Sequence, residues 1–320
     1  MKLRILFHGN CFDGSASAGL FARFFREHLA QGAAEVAYTA MQHKGDAQPI
    51  DGKLLDGDVN ACVDFRYSQD PRLGWWFDHH ASAFQLPGDE AHFRADQSGQ
   101  KFYDPHAKSC TRFLALMLVE RFAFDISRFA DLLHWAEIID GALFPTAAIA
   151  VELREPALKL MTWVENNRDK RLAERFIEDL VSRPLGDIAT DPYVAGPLVP
   201  LLDRHQKNIE AVRRLAKLDG GVVVTNLILD GITTVNKFIV YYLHPEARYS
   251  VTLLATPERY KISVGSNPWP RIPRTHDIAK LCEKYGGGGH PAVGAISLPK
   301  TDLAAVEKVA AEVVAFLQAP

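Results

Sequence analysis

Apolar positions open the chain in short runs and recur at helical spacing further along. Residues 3–7 (Leu-Arg-Ile-Leu-Phe) form a strand pattern that ends at His8. A turn rich in Gly, Asn, Cys and Asp follows, and Ala16 to His28 predicts a helix. Val36–Ala40, Val59–Val63 and Trp75–Phe77 predict further strands, the last two running into Asp64 and Asp78. Strands alternating with helices imply an α/β fold with a mostly parallel sheet flanked by helices. Ligands in such sheets gather at the carboxyl ends of strands. His8, Asp64 and Asp78 each stand immediately after a strand, which makes that edge the first candidate site.

Beyond residue 108 the pattern turns helical to about residue 183, with Ser109 and Arg112 suited to capping a helix or contacting phosphate. The charged run Asn166–Arg171 reads as a solvated helix face. Pro184, Pro192, Pro197 and Pro200 punctuate a boundary, after which a helix from Pro200 to Leu218 leads into a smaller α/β domain. Its strands are expected at Val222–Thr225, Tyr249–Leu254 and Tyr260–Val264. Ile278, Leu281, Cys282 and Tyr285 sit at helical spacing, with Thr275 as the expected cap. The expected organisation is residues 1–190 as a metal-binding domain, 191–219 as a connecting helix, and 220–320 as a substrate-binding domain.

The chain has 320 residues, 48% of them hydrophobic, and a formal charge of -3. A protein that tracks long nucleic acid carries a broad basic face, because phosphate contacts supply most of its affinity. None is implied here, so an anionic substrate must be held locally, which favours small ones. Cys11, Cys62, Cys110 and Cys282 are scattered without a CxxC pair and read as reduced thiols. The opening apolar run is too short for a signal peptide and no stretch approaches a membrane span, so the expected compartment is cytoplasmic, with no membrane partner.

His8, Asp13, Asp64, Asp78, His79 and His80 cluster at the strand ends. Mixed carboxylate and imidazole donors suit manganese, magnesium or iron better than a thiolate-rich zinc site. One such residue alone would read as a turn, a cap or an ordinary histidine. The set together points to metal-assisted chemistry.

The motifs then become recognisable. Phe77-Asp78-His79-His80-Ala81-Ser82-Ala83 resembles the signature of the DHH phosphoesterases. His8–Gly14 resembles their first motif, Val63–Tyr67 their second and Ile138–Phe144 their fourth. The Gly-rich run ending in His290, with Pro291–Ala295, resembles the signature of the DHH-associated C-terminal domain. The resemblance implies that His8, Asp13, Asp64, His79 and Asp140 are metal ligands, with Asp64 bridging two ions. Asp140 enters through this resemblance alone. Mn2+ is the implied cofactor, Mg2+ or another divalent ion the alternative. Asp78 would orient His79, and His80 would face the substrate phosphate, both counted as catalytic. Cys11 stands where the common first motif has an aspartate; it is either a soft ligand or a small buried filler. Relatives are often dimers, so a homodimer is implied.

On the substrate side, Gly287, Gly288, Gly289 and His290 form either a phosphate-cradling loop or a plain helix stop. With the metal motifs present, the first reading is preferred, and the resemblance makes His290 a substrate ligand. Many relatives carry an arginine beside the serine where this chain has Gly265-Ser266; Arg271 is the candidate to replace it. Trp269 is a candidate to stack on a base, or belongs to a rigid proline-rich loop along with Arg274. Gln42, His43 and Lys44 are weaker candidates. The expected activity is a metal-dependent phosphodiesterase that hydrolyses short oligonucleotides or dinucleotides with metal-activated water. A RecJ-type single-strand exonuclease and a non-catalytic nucleotide sensor are the alternatives.

Overall fold

The computed structural model describes residues 1–30, 34–42, 48–270 and 273–319. The chain divides into two compact units, Met1–Phe144 with Arg154–Leu198, and Pro145–Leu153 with Val199–Pro320.

The first unit is built on a five-stranded sheet of β1 (Lys2–His8), β2 (Glu35–Met41), β3 (Val59–Val63), β4 (Trp75–Asp78) and β5 (Lys101–Tyr103). The order is β2-β1-β3-β4-β5 and every pairing is parallel. Parallel strands are buried on both faces and read as near-continuous apolar runs. Leu3, Ile5, Leu6, Ala61, Val63, Trp76 and Phe77 are accordingly buried. β5 is too short and too polar at its start to stand out in the sequence.

Around this sheet lie α1 (Phe12–Phe24), α2 (Asp89–Ala95), α3 (Cys110–Phe122) and α4 (Ala130–Asp140). After α5 (Ala147–Glu152), which belongs to the second unit, come α6 (Pro156–Asn166), α7 (Lys170–Leu180) and α8 (Leu185–Thr190). α1 begins at Phe12, earlier than the apolar spacing suggests, and continues into a π-helical turn over Phe25–Leu29. α3 starts as expected: the Ser109 side chain accepts from the Arg112 N–H.

α9 (Pro192–Leu215) corrects the reading of the proline-rich stretch. Pro192 takes the first helical position, where a missing N–H costs nothing. Pro197 and Pro200 each forgo one backbone bond inside the helix rather than ending it.

The second unit carries a six-stranded mixed sheet. Its elements are β6 (Lys217–Asp219), β7 (Val222–Asn226), α10 (Ile239–Leu243), β8 (Tyr249–Ala255), β9 (Arg259–Ser266), α11 (Ile278–Glu283), β10 (Gly288–His290), β11 (Val293–Pro299) and α12 (Leu303–Gln318). The order is β10-β11-β9-β8-β7-β6, with only β7 and β8 parallel. Val251, Ile262, Val264 and Ile296 form an apolar face that α11 and α12 cover with Leu281, Val306 and Val313. Asp277, not Thr275, caps α11 by accepting from the Lys280 N–H. Thr275 is occupied instead with Tyr249 and His276. α5 joins this unit through Tyr242 Oη donating to Glu152 and Asn236 donating to the Ala150 carbonyl.

Candidate metal centre

Strand register builds the site. Phe7 pairs with Val63, and Val63 with Phe77. One residue further on, His8, Asp64 and Asp78 therefore lie level at the carboxyl edge of three adjacent strands. Asp64 leaves β3 with φ of 55°, a left-handed backbone tolerated mainly by Asn, Asp and Gly. α1 starts directly against this edge, because a Cβ on Gly14 would stand 2.1 Å from the His8 carbonyl oxygen. Asp13, in the first turn of α1, is thereby brought inside, and Asp140 arrives as the last residue of α4.

His79 stands at the centre of these groups. Its Nε2 lies 3.4 Å from Asp64 Oδ1, 3.3 Å from Asp140 Oδ2 and 3.9 Å from Asp13 Oδ2. Its Nδ1 lies 3.1 Å from the Ala107 carbonyl oxygen, to which it donates when the proton is on that nitrogen. His8 Nδ1 is 3.4 Å from the other oxygen of Asp64. Asp78 accepts from the backbone N–H of His79 and, at 2.7 Å, from His80 Nδ1. The expectation for Asp78 is corrected accordingly. Its carboxylate holds the ring of His80, whereas a backbone carbonyl holds the ring of His79, because the two rings leave the strand end in different directions.

Two donor triads result, His8–Asp64–His80 and Asp13–Asp64–His79, each with its ligating atoms within 4.8 Å of one another. They share Asp64. In the first triad His80 Nδ1 is already engaged by Asp78.

The electrostatics show what kind of group the cluster favours. Asp13, Asp64 and Asp78 are almost wholly buried. Among the described residues, both oxygens of Asp64 and Nε2 of His79 are buried without a hydrogen-bond partner. Buried polar groups are normally paired, and buried carboxylates strongly so. Burial, then the charges of Asp64 and Asp140, push the Asp13 carboxyl well above its ordinary range. Burial and the charge of Asp64 push Asp140 up to about 6. Burial would raise Asp64 too, but contacts with His79, His8 and His80 outweigh it and hold it at about 2. Burial opposes protonation of His79, yet Asp64, Asp13 and Asp140 lift it to about 10. The carboxylates thus favour positive charge at this buried histidine. Hard oxygen donors with imidazole fit a divalent ion of the manganese or magnesium type.

Other groups support the cluster. Asp13 accepts from the N–H groups of Cys110 and Thr111, the exposed donors at the start of α3. Tyr103 Oη donates to the His80 carbonyl. Cys11 precedes α1, and burial followed by the charges of Asp64, Asp13 and Asp140 raises its thiol pKa, so it faces the same carboxylates as a neutral group. The Ala107 carbonyl, Tyr103 and the α3 donors carry no motif, so sequence spacing had no means of finding them.

The second-unit candidates are described within that unit. Gly288, Gly289 and His290 form the edge strand β10 rather than an open loop, paired with β11. Gly287 and Gly289 are required sterically, since a Cβ would lie 2.3 Å from the Ala295 oxygen and 2.2 Å from the Val293 oxygen respectively. His290 is exposed. Arg274 donates to the Pro291 carbonyl, next to His290. Trp269 packs on Phe238 and, with Tyr241 and Tyr242, lines a cavity of about 290 Å³. Gly265 meets Tyr241 Oη at 3.0 Å from its ideal Cβ, which leaves no room for a long side chain. Gln42 donates to Asn10. His43, Lys44 and Arg271 lie outside the described residues.

This architecture is the fold of the DHH-family phosphoesterases. A pGpG-specific phosphodiesterase from Vibrio cholerae superposes with a TM-score of 0.69 at 19% identity, over 98% of this chain and 99% of that one. The DHH domain of a member of the s1p family of ribosomal proteins gives a TM-score of 0.60 at 15% identity, over 99% and 87%. RecJ in complex with Mn2+ from Thermus thermophilus gives 0.54 at 16% identity, over 98% of this chain but 52% of that RecJ. At these identities the likeness is one of fold. No family model matches the sequence, and no curated protein matches it. Among the described residues, no helix is long and apolar enough to cross a membrane.

Proposed function

We propose that this chain is a divalent-metal-dependent phosphodiesterase that hydrolyses short oligonucleotides or dinucleotides, acting in the cytoplasm. The observation that carries the reading is Asp64: a buried carboxylate without hydrogen bonds, shared by two donor triads. His8, Asp13, Asp64, His79 and Asp140 would hold two Mn2+ ions, Asp64 belonging to both donor triads. A divalent ion there supplies Lewis acidity, making water a better nucleophile and drawing charge from a phosphoryl oxygen.

The chain's own groups do the rest. Burial works against protonation of His80, but the Asp78 carboxylate outweighs it and holds the imidazole at about 8. His80 is then protonated at neutral pH and placed to give its proton to the leaving oxygen. The Ala107 carbonyl fixes the ring of His79 so that Nε2 faces the carboxylates. Gly287, Gly288, Gly289, His290 and Arg271 would bind substrate. The whole-length likeness to a pGpG-specific phosphodiesterase supports a small substrate.

The test is hydrolysis of a 5′-phosphorylated diribonucleotide with added Mn2+, wild type beside His79→Ala. Mononucleotides released by the wild type alone support the reading. Nucleotide binding without turnover under any divalent ion replaces it with a sensor.

A further inference from the structure

Arg66 is an anomaly beside the centre. It is only 6% exposed, yet among the described residues its guanidinium meets no carboxylate. Nη1 donates to Gln85 Oε1 at 3.0 Å, and the group lies 5.0 Å from the centroid of the Phe65 ring. Nε is buried with no hydrogen-bond partner. A buried charge is ordinarily paired, because desolvating it is strongly unfavourable.

Its position ties it to the candidate centre. Arg66 sits on the turn that leaves Asp64, and this turn is tied to the loop leaving His80 by Tyr67 N–H donating to the Ala83 carbonyl at 2.9 Å. Gln85, which accepts from Arg66, stands on that same loop leaving His80. A divalent cation held at Asp64, two residues earlier on the turn, would add to the positive charge of a guanidinium that has no carboxylate partner among the described residues, and a phosphate would answer both.

We propose that Arg66 is the residue that gives the metal-loaded site its affinity for the substrate's phosphate. This inference rests on the metal-centre reading above. A guanidinium suits the role, being permanently charged and shaped for phosphate oxygens. Sequence inspection had no reason to select it, since an arginine after a strand is ordinarily a surface residue.

The experiment titrates the full chain by calorimetry, first with Mn2+ and then, Mn2+-loaded, with inorganic phosphate. Wild type, Arg66→Met and Arg66→Lys are compared. Arg66→Met should weaken phosphate binding by ~10-fold or more, the usual weight of a charge-assisted contact. Mn2+ should bind it as tightly as wild type or tighter, because a positive charge has left the neighbourhood of the ligands. Arg66→Lys keeps the charge and should bind Mn2+ like wild type, with phosphate affinity between the other two. Loss of Mn2+ and phosphate binding together in Arg66→Met would mean a merely structural role and overturn the inference. Unchanged phosphate affinity, or a loaded wild type that binds no phosphate, overturns it as well. A wild type that binds no Mn2+ sinks the metal-centre reading itself and this inference with it.

Discussion

The two sheets each present a candidate edge, and the edges differ in how complete they are. At the carboxyl edge of the first, carboxylates are buried and crowded, and among the described residues neither carboxylate oxygen of Asp64 has a hydrogen-bond partner. At the glycine-rich edge of the second, Gly288–His290 is exposed and already paired into the sheet. The first edge gathers acidic groups that favour positive charge at His79, so a divalent cation would meet favourable charge there. The second is already paired with β11. On the proposed reading, metal and phosphate affinity belong to the first edge, and further contacts with substrate to the second.

The strongest way to break this contrast is Asp64→Asn. Mn2+ binding should be lost, and Mn2+-dependent hydrolysis should fall by more than the ~10–100-fold typical of merely supporting groups. The metal-free variant should melt lower than wild type, because the contacts with His79, His8 and His80 that hold this carboxylate at about 2 are lost. Calorimetry, a hydrolysis assay and a thermal melt measure the three effects.

A second test uses the proton on His79. Its folded pKa of about 10 lies above the ordinary histidine value, so the stability it lends the metal-free protein is fully present below ~6.5 and lost as pH rises through about 10. A metal ion must displace that proton. Mn2+ affinity should therefore rise with pH across this window, by up to about tenfold per unit for one proton released. Calorimetry in buffers of different ionisation heat counts the protons. No release at pH 7 would contradict the charge description of the first edge.

The second edge answers to sterics. Gly287→Ala places a Cβ 2.3 Å from the Ala295 oxygen and should cost ~1–3 kcal/mol in denaturant unfolding. His290→Ala, at an exposed position, should leave stability unchanged and raise KM severalfold with little effect on kcat. A fall in kcat with KM unchanged would move His290 out of substrate capture.

The first edge was legible in the sequence because its chemistry is carried by polar residues interrupting apolar strands. His8, Asp64 and Asp78 stand where Leu3–Phe7, Val59–Val63 and Trp75–Phe77 stop, and parallel register then aligns them. Asp140 was visible only by resemblance, since the end of a helix gives no such interruption. The roles of Ala107 and of the α3 N–H donors are performed by backbone, which spacing does not reveal. In the second unit, four consecutive glycines suggested an open loop, whereas partner strand β11 drew Gly288–His290 into a ladder. Local propensity yielded there to pairing across the sheet.

The most direct test of the metal centre is anomalous diffraction at the manganese edge from crystals grown with Mn2+. The account predicts at least one peak within coordination distance of Asp64, flanked by His79 and Asp13 or by His8. Density without an anomalous peak at that cluster, from protein that hydrolyses its substrate, would contradict it.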